Sequence, residues 1–136
     1  MNGGPNENQT GRRDLTRWNA SDGCLRSAHH SIAGEYFTSQ RSTVEGDVVQ
    51  FVYQNPHSTL EIKSKDSNTG GVILWKVEWN SPARLSRDHV TGETLKPGDH
   101  VIITGQPGRN SGEHRLHVLS ISRPADNWEW HRGARY

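Results

Sequence analysis

The sequence predicts an all-β fold in which five strands form one small barrel, with a single short helix between the third and fourth strands. The chain has 136 residues and is only 30% hydrophobic, but its apolar residues are concentrated between about residues 44 and 121. Within that stretch, β-branched and aromatic residues alternate with polar ones, the period of a half-buried strand. One interval, near residues 81–87, carries a helix-start signal instead.

Five segments share the strand pattern, at residues 43–53, 57–64, 72–79, 100–105 and 114–122. In the first strand, Gly46 favours a bulge or strong coiling. Asn55-Pro56 ends that strand because proline lacks a ladder donor. Turn-forming residues 65–71 predict a hairpin between the second and third strands. The loop at residues 106–112 predicts a second hairpin, which leads into the last strand.

The sequence signal for the short helix lies at its N-terminal end. Ser81 is a favourable N-cap and Pro82 occupies the first helical position, so we expect a helix that ends near Arg87. Strand, strand, strand, helix, strand, strand is the order of the five-stranded OB-fold barrel. A β-sandwich usually needs about seven strands. The sequence therefore predicts an OB-like barrel.

The rest of the chain flanks this barrel. Residues 1–27 are polar and predict a disordered N-terminal segment. Residues 28–123 form the predicted barrel domain with its lead-in arm, in which Ile32, Tyr36 and Phe37 have roughly helical spacing. Residues 124–136 are predicted to be a C-terminal tail, whose Trp128 and Trp130 either pack on the barrel or bind a partner.

Charge and composition limit the function classes. Residues 42–123 contain nine Lys/Arg and nine Asp/Glu, so the barrel is neutral and nucleic acid is an unlikely partner. Cys24 is the only cysteine, and no internal disulfide can form. No apolar run approaches the ~18 residues of a membrane span. The first thirty residues lack the apolar core of a signal peptide, so the chain as written is expected to be cytoplasmic.

Several short motifs follow one another in a characteristic order: Ala28-His29-His30-Ser31, Asn55-Pro56-His57, Trp75 with Glu78, Ser81-Pro82-Ala83-Arg84-Leu85, Leu95-Lys96-Pro97-Gly98-Asp99, and Gly105. Together they resemble a bacterial family of small, usually exported proteins of unknown function. The resemblance implies an OB-like barrel in a periplasmic or exported setting, and it implies no particular activity. Family members usually carry a hydrophobic signal sequence before Ala-His-His-Ser, where this chain is polar.

His29, His30 and His57 form the candidate metal site. Neutral imidazole is a common ligand of copper and zinc, and an all-nitrogen site favours these metals over magnesium or calcium. The alternative interpretation places His29 and His30 in solvent and lets His57 hydrogen-bond to the backbone of its turn. His114 and His117 are three residues apart on a strand, so they fall on opposite faces, and we expect both at the surface.

Two further groups are candidate ligand-binding residues. Phe51, Tyr53, Trp75 and Trp79 would form a stacking face of the kind that binds single-stranded nucleic acid. Alternatively, Trp75 lies in the core and the others at its rim. Arg84 and Arg87, three apart on the predicted helix, would hold an anion together, or else form a solvated helix face.

Catalysis has little support in the sequence. Cys24 has no positioned base, and no phosphate loop, zinc-protease motif or serine elbow is present. The sequence therefore predicts a non-catalytic binding module. Its ligand would be a metal such as copper or zinc, a small molecule or a partner protein. The alternative is an OB-fold protein that binds single-stranded nucleic acid.

Overall fold

The computed structural model describes Gly3 and residues 31–135 of the chain. The predicted disordered segment, apart from Gly3, lies outside them, as do His29 and His30. The disorder of that segment therefore stays a prediction.

The described chain contains six strands, β1 Ser42–Val52, β2 Thr59–Lys65, β3 Val72–Glu78, β4 His100–Pro107, β5 Arg115–Arg123 and β6 Trp128–His131. Two short helices accompany them, α1 Ile32–Glu35 and α2 Pro82–Arg87, with 3-10 turns at Ser111–Glu113 and Pro124–Asp126. The strands are ordered β3-β2-β1-β4-β5-β6, and β3 also pairs with β5. That last pairing is parallel and closes the first five strands into a barrel.

The predicted fold class is confirmed. Five barrel strands occur with α2 between β3 and β4, and every predicted strand boundary lies within two residues of the observed one. Pro82 occupies the first turn of α2 as expected, although the side chain of Ser81 makes no capping hydrogen bond. In the described part of the chain, no helix has the length and hydrophobicity that a membrane-spanning helix needs.

The segment predicted as a tail contains a sixth strand. β6 pairs antiparallel with β5 from Trp128↔Arg123 to His131↔Ser120, and Trp130 is buried in the core. Four residues are too few to give a periodic signal. Only the two-residue spacing of Trp128 and Trp130 indicated a strand here.

Glycines allow the strands to approach closely where the barrel curves. A Cβ at Gly46 would overlap with the carbonyl of Lys63, and one at Gly105 would overlap with the carbonyl of His117. The register of β1 against β2 shifts between Val48 and Gln50, a short distance beyond Gly46. The bulge in β1 is therefore present, but it lies a few residues later than predicted.

The core combines the inward side chains of the strands with residues from α2 and the connection to β4. These are Val44, Val48, Leu60, Ile62, Val77, Trp79, Leu85, Val90, Leu95, Val101, Ile103, Leu116, Val118, Ile121 and Trp130. Leu85 is the side chain by which α2 joins this core. The barrel interior is therefore filled by side chains, and any ligand must bind at the surface or between the loops.

Candidate functional site

The lead-in arm is fixed against the end of β4 and the loop that follows it. The amide N–H of Phe37 donates to the Pro107 carbonyl at 2.9 Å, and the amide N–H of Arg109 donates to the Glu35 carbonyl at 2.9 Å. Tyr36 lies between these contacts and is only 1% exposed. The arm therefore covers part of the outer surface of the barrel and brings the Tyr36 hydroxyl to β3.

A cavity of about 220 Å³ opens where the arm, the β1–β2 loop, β3 and the start of β5 meet. We call it the His57–Glu78 cavity. Its lining residues are Tyr36, Pro56, His57, Thr59, Lys76, Glu78 and Arg115. The β2–β3 register pairs Thr59 with Glu78, which brings Glu78 close to the loop that carries His57.

Glu78 is the centre of the polar contacts in this cavity. The Tyr36 hydroxyl donates to its Oε2 at 2.6 Å, and His57 Nδ1 lies 2.9 Å from its Oε1. Arg115 Nη2 lies 3.8 Å from the same Oε2, and 3.2 Å from Glu35 Oε2. The carboxylate is therefore held from three sides by groups on three different segments.

These contacts change the pKa of two side chains that line the cavity, Glu78 and Tyr36. Partial burial raises the pKa of Glu78, but the hydrogen bonds from Tyr36 and His57, together with the charges of His57 and Arg115, outweigh burial and lower the pKa overall. Burial, and then the hydrogen bond to Glu78, raise the pKa of Tyr36 well above its usual range. At neutral pH, Glu78 is thus an ionised acceptor and Tyr36 a neutral donor.

Among the described residues, a partner holds His57 at one ring nitrogen, Nδ1. Because Glu78 is ionised, it accepts the hydrogen bond, so Nδ1 of His57 carries the proton and donates. In the neutral ring, Nε2 then has a free lone pair, and the described residues provide no hydrogen bond to it. The His57 side chain is 51% exposed. The structure therefore presents an oriented imidazole whose second nitrogen is available to a ligand.

His100 provides a contrast. Its Nδ1 lies 2.7 Å from Asp47 and its Nε2 lies 2.9 Å from Glu45, so both ring nitrogens are occupied. The hydrogen bonds to Glu45 and Asp47 raise its pKa, as expected for an imidazole between two carboxylates. Its side chain is 50% exposed, almost the same as that of His57. The two histidines are therefore similarly exposed, but only His57 has a ring nitrogen without a hydrogen-bond partner among the described residues.

The prediction that His117 lies at the surface is wrong, because this side chain is 4% exposed. Leu116 and Val118 point into the core, and the arm covers the opposite face at Tyr36, whose ring centroid lies 5.4 Å from that of His117. Nδ1 of His117 lies 3.1 Å from Gln106 Oε1. Burial, and then the charge of Arg132, lower the pKa of His117 to about 4. His114, the other member of the pair, is partly buried beside Trp75.

The stability of the protein should fall on mild acidification because of His117. Its pKa falls from 6.5 to about 4 on folding, so between these values the unfolded chain binds more protons than the folded one. We expect the free energy of unfolding to drop by about 2 kcal/mol between pH 7 and pH 5 from this residue alone. Urea unfolding at pH 7, 6 and 5 measures how the free energy of unfolding depends on pH. His117→Gln should make this dependence weaker. The same dependence in the variant and the unmodified protein would show that His117 is not its cause.

The predicted aromatic residues lie away from the cavity. Phe51 contacts both Tyr53 and Trp79, with ring centroids 5.9 and 5.8 Å apart, and Trp79 is 1% exposed. The Tyr53 hydroxyl shares its one proton between the carbonyls of Pro82 at 2.9 Å and Val90 at 3.2 Å, which ties α2 to the chain directly after β1. Trp79 therefore lies in the core and Trp75 is partly exposed, the reverse of the roles expected for these two residues, whereas Phe51 and Tyr53 are partly buried at the rim of the core as expected.

The other predicted site residues, the candidate metal ligands and the two arginines of α2, do not lie together in the structure. Of the three candidate metal ligands, only His57 lies in the described chain. Arg84 and Arg87 are exposed on α2, and only Arg84 lines a cavity together with another arginine, Arg132. Ligand binding by these residues stays a prediction.

Of the residues that line the cavity, the sequence predicted only His57 as a ligand-site residue, and it missed the polar cluster of Tyr36, Glu78 and Arg115. It indicated Glu78 as the last residue of the Trp-x-x-Glu motif and as a solvated strand carboxylate, not as a site residue. The pairing of Thr59 with Glu78 would have connected this motif to Asn-Pro-His, but register between strands cannot be read from either motif alone.

The fold and the cavity define a small closed β-barrel protein with a polar cavity at the junction of an N-terminal arm and two loops. The chain belongs to the family of unknown function DUF6152, which matches residues 19–117. All residues that line the His57–Glu78 cavity lie within this range. No curated protein matches the chain.

Some solved structures are similar to the chain. The mitochondrial single-stranded DNA binding protein Rim1 of S. cerevisiae is 12% identical, with a TM-score of 0.47 over 61% of this chain and 91% of that one. The S. pombe Stn1-Ten1 complex is 16% identical, with a TM-score of 0.45 over 65% and 62%. The ZRD-deleted mutant of TiaS in complex with agmatine is 18% identical, with a TM-score of 0.45 over 70% and 23%.

Proposed function

We propose that the protein is a non-catalytic binding module that holds copper or zinc through Nε2 of His57, with His29 and His30 as further ligands. The observation that supports this proposal is the hydrogen bond between His57 Nδ1 and Glu78. A metal-binding histidine almost always donates its other ring N–H to a carboxylate or carbonyl, which sets the tautomer and the ring orientation. Glu78 plays this part here, and it is itself held by Tyr36 and Arg115.

The proposed site needs ligands from outside the described residues. Within residues 31–135, no group of three His, Cys, Asp or Glu side chains is arranged to hold a metal ion. His29 and His30 immediately precede Ser31, where the described arm begins. The arm is tied to the cavity because Tyr36 donates to Glu78. At its start, Ile32 lines a cavity with Asn80, and the carbonyl of Asn80 accepts from Ser58, the neighbour of His57.

Copper binding should depend on His57. We expect one equivalent of Cu(II) to give an EPR spectrum with nitrogen hyperfine coupling, because imidazole nitrogens would coordinate the ion. In His57→Ala the coupling should be lost or reduced in multiplicity, with an affinity at least about tenfold weaker. Glu78→Gln should weaken binding by about tenfold to 100-fold while leaving His57 in place.

His100→Ala is the matched control, since His100 is as exposed as His57 but has no free ring nitrogen. It should leave the spectrum unchanged. A double variant, His29→Ala with His30→Ala, should reduce the number of coupled nitrogens. An aqueous-copper spectrum for the unmodified protein, or equal loss in His57→Ala and His100→Ala, would refute the proposal.

Single-stranded nucleic-acid binding is the second candidate, supported by the position of Trp75. Its partly exposed ring lies between two cavities, one that also contains Lys63 and Lys65 and one that contains Arg115. Three carboxylates, those of Glu45, Asp47 and Asp66, line the first of these cavities and oppose a polyanion. Fluorescence anisotropy with a labelled oligonucleotide at low and high salt tests this candidate, and no binding at low salt would exclude it.

A further inference from the structure

Another cavity, separate from the His57–Glu78 cavity and from those beside Trp75, lies between α2, the start of the arm and the end of β6. It has a volume of about 330 Å³, within the range of small-molecule sites. Its lining includes Ile32, Asn80, Arg84, Asp88, Trp130 and Arg132. Two guanidinium groups therefore face one cavity from different segments of the fold.

Arg84 has no ion-pair partner among the described residues. Asp88 follows it by four residues, the spacing at which a helix allows an ion pair. The Asp88 carboxylate instead accepts a hydrogen bond from Trp130 Nε1 at 2.9 Å. The Asp88 carboxylate lines the same cavity without pairing with Arg84, so it offsets one of the two guanidinium charges there and leaves one positive charge in excess.

Arg132 also lacks a carboxylate partner in the described part of the chain. Although it is exposed as a whole, its Nη2 donates to the Val118 carbonyl at 3.0 Å and lies 3.1 Å from both ring nitrogens of His117. The equal distances place this nitrogen over the imidazole face, because an in-plane position would collide with ring carbon. These contacts hold the guanidinium in position without cancelling its charge.

The two arginines repel each other. Burial, and then the charge of Arg84, lower the pKa of Arg132, although a guanidinium stays protonated at any physiological pH. The described structure thus keeps two like charges close together, and an anion between them would relieve the repulsion. A planar guanidinium presents paired N–H donors that match carboxylate and phosphate oxygens.

We infer that this cavity binds a small molecule through its oxyanion, a carboxylate or a phosphate, held between Arg84 and Arg132. Asn80 supplies a neutral polar group and Ile32 an apolar wall for the rest of the molecule. The partner of Arg84 is therefore Arg132 and not Arg87, the residue that helical spacing indicated, because Arg87 does not line the cavity. This inference does not rest on the proposed metal site.

The test is an NMR titration of the full chain with sodium phosphate and, separately, sodium acetate, at ionic strength held constant with sodium chloride. The indole N–H of Trp130, which contacts Asp88 in the cavity, is the local probe. We expect its resonance to shift saturably with at least one of the two anions. The anion that binds more tightly identifies which oxyanion the site prefers.

Arg84→Gln should weaken this binding at least about tenfold, because it removes charge-assisted hydrogen bonds. Arg87→Gln removes the same charge from the same helix outside the cavity, and it should leave the affinity unchanged. Arg132→Lys keeps the positive charge but loses the paired N–H donors of the guanidinium, so it should also weaken binding. Thermal unfolding checks that this variant is folded. The inference is overturned if the Trp130 resonance does not move with either anion. Equal weakening by Arg84→Gln and Arg87→Gln would also overturn it.

Discussion

Replacing Trp130 with alanine should lower the free energy of unfolding by about 3–5 kcal/mol, the range for removing a large aromatic side chain from a core. Trp130 is 1% exposed, and its ring meets Trp79 edge-on with centroids 5.1 Å apart. Its indole N–H also donates to Asp88 at the end of α2. The substitution would thus open a cavity and break the contact that joins β6 to α2.

Urea unfolding, followed by circular dichroism, measures this loss. Trp128→Ala is the matched control, because Trp128 lies in the same strand but is only partly buried, with the Arg123 guanidinium 5.4 Å from its ring centroid. Trp128→Ala should lower the free energy of unfolding by about 1 kcal/mol, the size expected for an accessible cation–π contact together with partial burial. If both variants lose the same small amount, residues 128–131 are not part of the folded core.

Gly46→Ala should destabilise the barrel by about 3 kcal/mol, at the upper end of the usual cost of overpacking. The added methyl group would lie 2.9 Å from the carbonyl carbon of Lys63 and would overlap with its oxygen. Backbone atoms of a paired strand cannot rotate away as a side chain can. Relief would therefore require β1 to move away from β2, near the bulge between Val48 and Gln50.

Gly92→Ala is the control for this second variant. A methyl group at Gly92 would make an ordinary contact with Tyr53, 3.5 Å from its Cβ, and we expect a change within about 1 kcal/mol of zero. Both variants reduce the freedom of the unfolded chain to the same extent, so their difference isolates the clash with Lys63. Equal stabilities would show that β1 and β2 tolerate a side chain at this position.

Much of the fold was predictable because its signals are local. Alternation in β2 and β3 identified two strands, and Ser81-Pro82 identified the start of α2. The candidate site was predicted only in part. His57 was identified by its residue type and motif, whereas Tyr36, Glu78 and Arg115 come from three other segments that only the pairing of β3 with β2 and β5 brings together.

His117 and Trp130 illustrate the limit of local patterns. The sequence predicted His117 at the surface, and its side chain does lie on the opposite face of β5 from the core residues Leu116 and Val118, but the arm covers that face with Tyr36. Trp130 looked like part of a tail because a strand of four residues has no resolvable period. In both cases the deciding contact joins segments that are distant in sequence.

The sequence by itself determined the class of fold, the order of the five barrel strands and the place of α2, since hydrophobic period and turn chemistry act between near neighbours. Only the tertiary structure decided which surface the arm covers, that β6 completes the core, that His57 contacts Glu78, and that Arg84 and Arg132 line one cavity. Those outcomes depend on strand register and on the closure of β3 against β5, which are set by the packing of the whole barrel.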